Sequence, residues 1–320
     1  MEVEQSIREA VRRHLPGRRV EEVRERGTWV RHLVEVTLDG GEEVVFKIAV
    51  PRPGWLEGGE AIERDVAELP APQGLDVIPP VLAVDSSCEI LPQPYVIQAK
   101  VGGRRLRDCL AAAPDEGAAI YEAVGHVYAR IHAVHNDRDG LWNGSTPREP
   151  WGAPTDHMFQ AEIVEGSGRQ ARAEGRISAE THALAVRLWR ENLDYLRAHA
   201  PSLVHASAFP WTIYLDRDDG GWRVTKLTSV GDFLWWDAAF DVAALRYPPY
   251  GEMQPAWWEG FVRGYGGVPE RKRLLLYAVM QRLCAAMGCY MQPEAPGNAA
   301  WADRALVETA GMLEELRGLS

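Results

Sequence analysis

The stretch LVHASAFPWTIYLD, residues 203–216, has the pattern of an active-site loop that leads into a β-strand. A histidine and a proline lie five residues apart, a tryptophan follows, and an alternating strand ends in an aspartate. The loop contains no carboxylate before that strand, and its candidate reactive groups are the imidazole of His205 and the hydroxyls of Ser207 and Thr212. Imidazoles serve as general acids or bases, whereas neutral hydroxyls are weak ligands for hard cations.

Two regions of different pattern must position this loop. Residues 1–100 alternate short β patterns with turns and contain one helical pattern near 58–69. Residues 101–320 are mainly helical by their three- and four-residue apolar spacing, with one hairpin inserted at 212–230. Helices are predicted at 115–135, 178–199, 254–265, 269–290 and 299–318. We therefore predict an α+β protein with a β-sheet domain, 1–100, and a larger helical domain, 101–320.

Several motifs in this order carry a specific resemblance. They are VVFKIA, GEAIERDVAEL, GHVYARIHAVH and GDFLWWDAAFDVAAL. Over nearly its whole length the chain resembles the aminoglycoside phosphotransferase and choline kinase-like superfamily. The resemblance implies a bilobal protein-kinase-like fold, with an N-terminal β-sheet lobe and a larger, mainly helical C-terminal lobe.

The resemblance also assigns a vestigial nucleotide site to the sheet lobe. Lys47 in VVFKIA matches the lysine that holds nucleotide phosphates, and Glu63 matches the glutamate that pairs with it, with Glu60 as the second match. A lysine at the end of a strand also serves as a buried aliphatic stem with an exposed amine. Nucleotide binding therefore stays open.

The loop itself departs from the family pattern at every catalytic position. The family loop reads His-Gly-Asp-Leu-His-Pro-Gly-Asn-Ile-Leu, and residues 205–214 read His-Ala-Ser-Ala-Phe-Pro-Trp-Thr-Ile-Tyr. The aspartate that accepts the substrate proton corresponds to Ser207, and the asparagine that holds magnesium corresponds to Thr212. The remaining metal-binding aspartate corresponds to Ser229.

The alignment of Ser229 with the family's metal-binding aspartate depends on its sequence distance from two later aspartates. In the family pattern two further aspartates lie eight and twelve residues after the metal-binding aspartate, and from Ser229 these intervals reach Asp237 and Asp241. From Asp232 neither interval reaches an aspartate. We expect Asp237 and Asp241 to cap or tie the helix that follows.

Phosphoryl transfer on this fold depends on magnesium and on an aspartate that orients the nucleophile. Loss of a general base alone typically lowers the rate by about 10²–10⁴. We therefore predict no metal site, no cofactor and no phosphotransfer.

Aromatic residues are expected beside the positions that correspond to the family's reaction centre. Trp211, Trp235 and Trp236 lie in or after the degenerate loop, and Thr212 and Ser229 add hydroxyls. Indole rings provide apolar area and faces that attract cations. The predicted ligand is therefore an apolar or cationic small molecule. If the site is catalytic, the candidate groups are His205, Ser207 and Asp232.

Composition excludes several other classes of function. The net charge of −11 disfavours nucleic acid and anionic membrane as partners. No apolar run reaches the roughly 18 residues of a membrane span, and the charged N-terminus does not resemble an export signal. The four cysteines include no Cys-x-x-Cys pair, which favours a reducing compartment. We expect a cytoplasmic protein.

Three functions fit these observations. The first, which the enclosed aromatic pocket favours, is an enzyme repurposed for metal-independent cyclisation, isomerisation, elimination or hydrolysis of a small metabolite in bacterial secondary metabolism. The second is a non-catalytic pseudokinase that binds a small molecule or regulates a partner. The third is an atypical active small-molecule kinase. Fold analogy provides a pocket but does not identify the reaction. The protein partner of the second alternative is unknown.

Overall fold

The computed structural model describes residues 2–27, 32–48, 75–141, 154–229, 233–248, 252–290 and 298–319. The chain divides into two compact units. The first unit comprises Met1–Arg104, Tyr214–Asp216 and Val224–Asp232, and the second comprises Arg105–Ile213, Arg217–Arg223 and Phe233–Ser320. The division assigns part of one hairpin to each unit.

The first unit is a helix followed by an antiparallel sheet. Its elements are α1 (Glu2–His14), β1 (Val20–Gly27), β2 (His32–Leu38), β3 (Glu43–Ile48), β4 (Val81–Asp85) and β5 (Tyr95–Ala99). The spatial order is β1-β2-β3-β5-β4. In β2 every second residue is buried, namely Val34, Val36 and Leu38, as expected for a strand with one face on the core.

Helix α1 covers one face of this sheet. Ile7 and Val11 are buried in the same apolar cluster as Phe46 of β3 and Tyr95 of β5. Polar contacts anchor the end of the helix, where His14 Nε2 lies 3.1 Å from Asp85 Oδ2 and 3.0 Å from the Tyr95 hydroxyl. This docking fixes the sheet that carries Lys47.

A hairpin follows the degenerate loop. It consists of β9 (Ile213–Asp218) and β10 (Gly221–Leu227), and the short β6 (Arg104–Arg105) pairs with β9. Gly103, just before β6, has φ +89° and approaches the hairpin so closely that a Cβ would lie 2.6 Å from Leu215 O. Only glycine fits this combination of dihedral angle and close approach.

The second unit is mainly helical. Its helices are α2 (Leu106–Ala112), α3 (Gly117–His132), α4 (Pro154–Met158), α5 (Ser167–Ala173), α6 (Ala179–Glu191), α7 (Leu193–Arg197), α8 (Ala239–Arg246), α9 (Pro255–Tyr265), α10 (Arg271–Tyr290) and α11 (Asn298–Leu319). A 3₁₀ turn spans Pro114–Glu116 and a π-helical turn spans Phe159–Val164. Strands β7 (Gly140–Leu141), β8 (Ser202–Val204) and β11 (Leu234–Trp236) form a small antiparallel sheet in the order β7-β11-β8.

Helices α3 and α9 pack with almost no space between their backbones. A Cβ on Gly260 would lie 2.0 Å from Ala118 O, and one on Gly264 would lie 2.0 Å from Glu122 O. Gly125 on α3 faces Phe261 O in the same way, at 2.4 Å. The three glycines therefore permit a helix contact that any larger side chain would separate.

The predicted helices are confirmed with one correction. The span 178–199 was predicted as one helix, but it is divided between α6 and α7 at Asn192, whose φ of −112° is not helical. The Asn192 side chain donates to Leu188 O at 2.7 Å, and asparagine often interrupts helices through such local bonds. The helix predicted near 58–69 lies outside the described residues. Among the described helices, none is long and apolar enough to cross a membrane.

Candidate functional site

The loop 205–212 joins β8 to β9, and its backbone is held in a strained conformation. Ala206 has φ +56°, in the left-handed region that residues with a Cβ rarely adopt. Such a conformation costs about 1–3 kcal/mol and persists where the surroundings enforce it. The family loop has glycine at this position, a residue that adopts this conformation without a steric penalty.

Asp241 in the first turn of α8 enforces this conformation. Its Oδ2 accepts a hydrogen bond from His205 N at 2.7 Å, and its Oδ1 accepts one from Ala206 N at 2.9 Å. The Asp241 side chain is fully buried, so these bonds to a charged acceptor are formed away from water. The predicted tie through backbone amides is therefore present, but it fixes the loop rather than the helix.

A buried polar network surrounds the Asp241 carboxylate. His132 Nε2 lies 3.1 Å from Asp241 Oδ2, and His132 Nδ1 lies 2.8 Å from the Tyr265 hydroxyl. Burial raises the pKa of Tyr265 and of Tyr128, and the charge of Asp241 raises both further. Both phenols therefore stay protonated and act as hydrogen-bonding groups.

His205 belongs to this network. Its side chain is fully buried, its Nδ1 lies 2.8 Å from the Tyr128 hydroxyl, and its ring meets the Phe233 ring edge-on at 5.0 Å. An acid–base catalyst must reach the proton that it transfers. The burial of His205 favours a structural role over the catalytic role predicted from the sequence.

The two hydroxyl residues of the loop are buried as well. Ser207 is 6% exposed and Thr212 is 3% exposed. Thr212 Oγ1 lies in bonding distance of Ser207 O, it lies 2.9 Å from Phe209 O, and it accepts a bond from Phe209 N at 3.2 Å. The hydroxyl that occupies the position of the metal-binding asparagine is thus engaged by the backbone of its own loop.

Ser229, which corresponds to the family's metal-binding aspartate, also has a strained backbone. It follows β10 in the first unit and has φ +65°. Among the described residues, only Cys88, Ala206 and Ser229 combine a Cβ with positive φ. Two of these three positions correspond to the family's reaction centre, which agrees with the tendency of backbone strain to cluster at functional sites.

These donors do not fit magnesium. Mg²⁺ in phosphoryl-transfer sites is held by one or two carboxylates together with phosphate oxygens. The corresponding positions carry neutral hydroxyls, and the Thr212 hydroxyl already bonds to the loop backbone. In the described part of the chain, no group of three or more His, Cys, Asp or Glu could hold a metal ion. Asp232 lies outside the described residues.

The aromatic candidates separate into two groups. Trp211 is half-buried and stacks on Phe209, with ring centroids 4.9 Å apart and an interplanar angle of 18°. Trp235 is also half-buried, in β11. Trp236 is fully buried and donates from Nε1 to Thr155 Oγ1 at 2.9 Å. The prediction that Trp236 binds substrate is therefore corrected, because adjacent strand residues face opposite sides and Trp236 faces the core.

Asp237, beside the buried tryptophan, is a structural residue. Its Oδ1 accepts a bond from Ala239 N at 2.9 Å at the start of α8. Its Oδ2 accepts a bond from the Tyr277 hydroxyl at 2.9 Å and forms an ion pair with Arg273. The expected helix-capping role agrees with these contacts.

The predicted nucleotide residues lie in the first unit. Lys47 is 8% exposed in β3, opposite Leu33 of β2 and Val96 of β5. Glu63 and Glu60 lie outside the described residues, so their predicted pairing with Lys47 stays a prediction.

Two tyrosines of the buried network, Tyr128 and Tyr265, are not among the residues predicted from the sequence. Tyr128 lies one helical turn before His132 on α3, and that spacing was a usable signal for a shared helix face. Tyr265 is the last residue of α9, and no pattern in the chain connects it with His132. Its role depends on the packing of α3 against α9.

Comparisons with known proteins agree with this architecture. The family model described as phosphotransferase enzyme family matches residues 22–277. No curated protein matches significantly. Solved structures with the same fold include aminoglycoside phosphotransferase APH(4)-Ia, with 18% identity, a TM-score of 0.66, and coverage of 97% of this chain and 98% of that chain.

Two further neighbours show how widely the fold is shared. A protein from Thermobifida fusca assigned as a fructosamine-3-kinase has 19% identity, a TM-score of 0.61, and coverage of 97% and 99% of the two chains. A GDP and kanamycin complex of APH(2")-IIia has 12% identity, a TM-score of 0.64, and coverage of 99% of both chains.

Proposed function

Since the chain belongs to the phosphotransferase enzyme family, we propose that it has lost magnesium-dependent phosphoryl transfer and is a pseudokinase that binds a small molecule at the loop 205–212. The loop keeps the strained backbone and its buried aspartate anchor. It has exchanged the groups of the reaction for neutral hydroxyls.

Thr212 is the residue that supports this proposal most strongly. Its hydroxyl forms hydrogen bonds with the backbone of Ser207 and Phe209, so its bonding capacity is used within the loop. A metal bound at this position would have to compete with those bonds for a neutral oxygen. The position therefore favours a stable loop over a metal site.

The retained binding capacity is supported by the loop's aromatic pair. Phe209 and Trp211 stack face to face, and both rings are half-buried, so part of their area is open to a ligand. With the carboxylates gone, the favourable contacts at the loop are dispersion and attraction to the π faces. The proposed ligand is an apolar or cationic small molecule.

Small-molecule binding also agrees with the structural neighbours. One structure of APH(4)-Ia is a ternary complex with ADP and hygromycin B, and the APH(2")-IIia structure is a complex with GDP and kanamycin. Both proteins therefore bind small molecules on this fold. For the present chain the proposal carries over only the class of ligand, a small molecule.

A repurposed enzyme is less well supported by the geometry. The sequence favours metal-independent chemistry that uses His205 as acid or base. That imidazole is fully buried and bonded to Tyr128, so it acts more readily as a support for the loop than as a catalyst. The binding protein is therefore preferred over the enzyme.

Binding of an apolar cation tests the proposal. We expect benzyltrimethylammonium to quench tryptophan fluorescence and to bind more tightly than the anion toluenesulfonate. Trp211→Ala should weaken cation binding by about 1–3 kcal/mol, the scale of an aromatic contact with its buried area. Trp222→Ala is the matched control, because Trp222 lies in the hairpin and donates to Glu116 at 2.8 Å.

Two outcomes would contradict the proposed site. One is that both tryptophan variants bind the cation as the parent protein does. The other is that the anion binds as well as the cation. A folded Trp211→Ala variant is confirmed by an unchanged thermal transition, so lost binding is not mistaken for unfolding.

A further inference from the structure

A groove of about 460 Å³ lies in the second unit, away from the degenerate loop. The groove is lined by the end of α8, by Glu252 and Met253 just before α9, and by residues of α10 and α11. Helix α8 holds the loop through Asp241 near its beginning, whereas the groove starts at Arg246, its last residue. The volume falls in the range of about 300–1,000 Å³ that is typical of small-molecule sites.

Arg246 is a cation at this groove that aromatic rings hold in place. Its guanidinium carbon lies 5.3 Å from the centre of the Tyr247 ring and 5.1 Å from that of the Trp258 ring. Within the described residues, Arg246 forms no ion pair with a carboxylate. Ring stacking leaves the N–H edge of a guanidinium open to an acceptor, and that edge matches a carboxylate.

A second guanidinium lies deeper in the same groove. Arg282 is 6% exposed and forms an ion pair with Glu308 through Nη1. Burial lowers the pKa of Arg282, and the charge of Glu308 only partly offsets this effect. Its buried Nε has no hydrogen-bond partner among the described residues, and an unsatisfied buried donor is costly. The base of the groove therefore holds one N–H donor, Arg282 Nε, that a ligand acceptor could satisfy.

The remaining charges and walls define the rest of the ligand. Among the described residues, three glutamates line the groove: Glu308 is paired with Arg282, Glu315 is paired with Arg271 at 3.0 Å, and Glu252 is exposed to solvent. The apolar lining comes from Pro248, Met253, Leu275 and Met312. A ligand whose acceptor group lies beside Arg246 would therefore place the rest of its body against these apolar side chains. Methionine side chains adapt readily to ligands of different shape.

We propose that this groove binds a small carboxylate with an apolar body, and that Arg246 forms the ion pair with the carboxylate. This site is independent of the loop 205–212 and of the function proposed for it. Its occupant differs in charge from the cation expected at the loop, so the two sites take different ligands.

Three probes of nearly equal shape test the charge requirement. They are 3-phenylpropionate, 3-phenylpropanol and 3-phenylpropylamine, each titrated into the full chain by calorimetry. We expect the carboxylate to bind at least tenfold more tightly than the alcohol or the amine. Arg246→Gln should remove this preference, whereas Arg263→Gln should keep it, because Arg263 on α9 pairs with Glu122 instead of lining the groove.

A pair of glycine variants tests the location without touching a charge. Gly311 and Gly318 both lie on α11, and a Cβ at either would meet no atom within 4 Å. Gly311 lines the groove and Gly318 does not. Gly311→Leu should fill the groove and weaken 3-phenylpropionate binding at least tenfold, whereas Gly318→Leu should bind as the parent protein does.

Each contrary result would overturn the proposal. Equal binding of the three probes, or undetectable binding of the carboxylate, would show that Arg246 does not recognise an anion here. Carboxylate binding that survives in a folded Arg246→Gln or Gly311→Leu variant would show that the carboxylate binds elsewhere.

Discussion

The carboxylate of Asp241 holds Ala206 in a left-handed conformation by accepting a hydrogen bond from its backbone N–H at 2.9 Å. A residue of the helical core thus fixes the backbone of a loop whose reactive side chains have been replaced. The buried carboxylate therefore explains why a residue with a Cβ adopts this conformation here.

Replacement of Asp241 by asparagine should destabilise the protein. The asparagine amide offers one acceptor instead of two, so the backbone N–H of His205 or Ala206 would lose its partner in a buried site. We expect Asp241→Asn to lower the free energy of unfolding by about 3 kcal/mol, measured by urea denaturation. Asp219→Asn, at an exposed turn of the hairpin, should change it little. An unchanged free energy of unfolding in Asp241→Asn would refute the anchoring role.

Ala206→Gly should stabilise the loop. Glycine adopts φ +56° without a steric penalty, and the relief outweighs the added freedom of the unfolded chain. The expected gain is about 0.5–1 kcal/mol, seen as a higher midpoint of thermal unfolding. Ala208→Gly is the matched control, since Ala208 is buried in the same loop without positive φ and should lose stability instead. Equal effects of the two changes would argue against strain at Ala206.

Gly264→Ala should separate α3 from α9. The added methyl would lie 2.0 Å from Glu122 O, so one helix must move. We expect a loss of about 3 kcal/mol in the free energy of unfolding. Gly311→Ala, in open space on α11, should instead gain about 0.5–1 kcal/mol through helix propensity. An unchanged free energy of unfolding in Gly264→Ala would contradict the close packing of α3 against α9.

The charge state of His199 should make stability depend on pH. Burial lowers the pKa of His199, but hydrogen bonds to Asp139 at 2.9 Å and to Leu196 O at 2.8 Å outweigh burial, so its pKa is raised. Only the imidazolium donates to both acceptors at once.

This stabilisation is fully present below the unfolded pKa of about 6.5 and is lost as pH rises through the raised folded pKa. Unfolding free energies of the parent protein and of His199→Gln should therefore differ most at low pH and converge at high pH. A difference that grows with pH would show that His199 is neutral in the folded protein.

Much of the fold follows from the sequence because it depends on local patterns. Short β patterns indicate the sheet within residues 1–100, and helical spacing predicts α9 to within one residue at its start. The position of Trp236 could not be obtained in this way. Trp235 and Trp236 are identical neighbours, and only the pairing of β11 with β8 determines which ring enters the core.

The candidate site was predictable in its residue types but less so in their contacts. The spacing to Asp237 and Asp241 placed Ser229 in register, and the alanine at a glycine position could have indicated the strain at Ala206. The bonds of Thr212 to its own loop, and the burial of His205, depend on tertiary packing. No pattern in the chain encodes them locally.

An assay of phosphate transfer from radiolabelled ATP or GTP tests whether this chain has lost phosphotransfer. The purified chain would be incubated with magnesium and with aminoglycosides, choline and sugar alcohols, beside an active aminoglycoside phosphotransferase as positive control. We predict no labelled product from this chain. Magnesium-dependent labelling that disappears in Ser207→Ala would overturn the proposed loss of phosphotransfer, because it would show that a hydroxyl at this position supports the transfer.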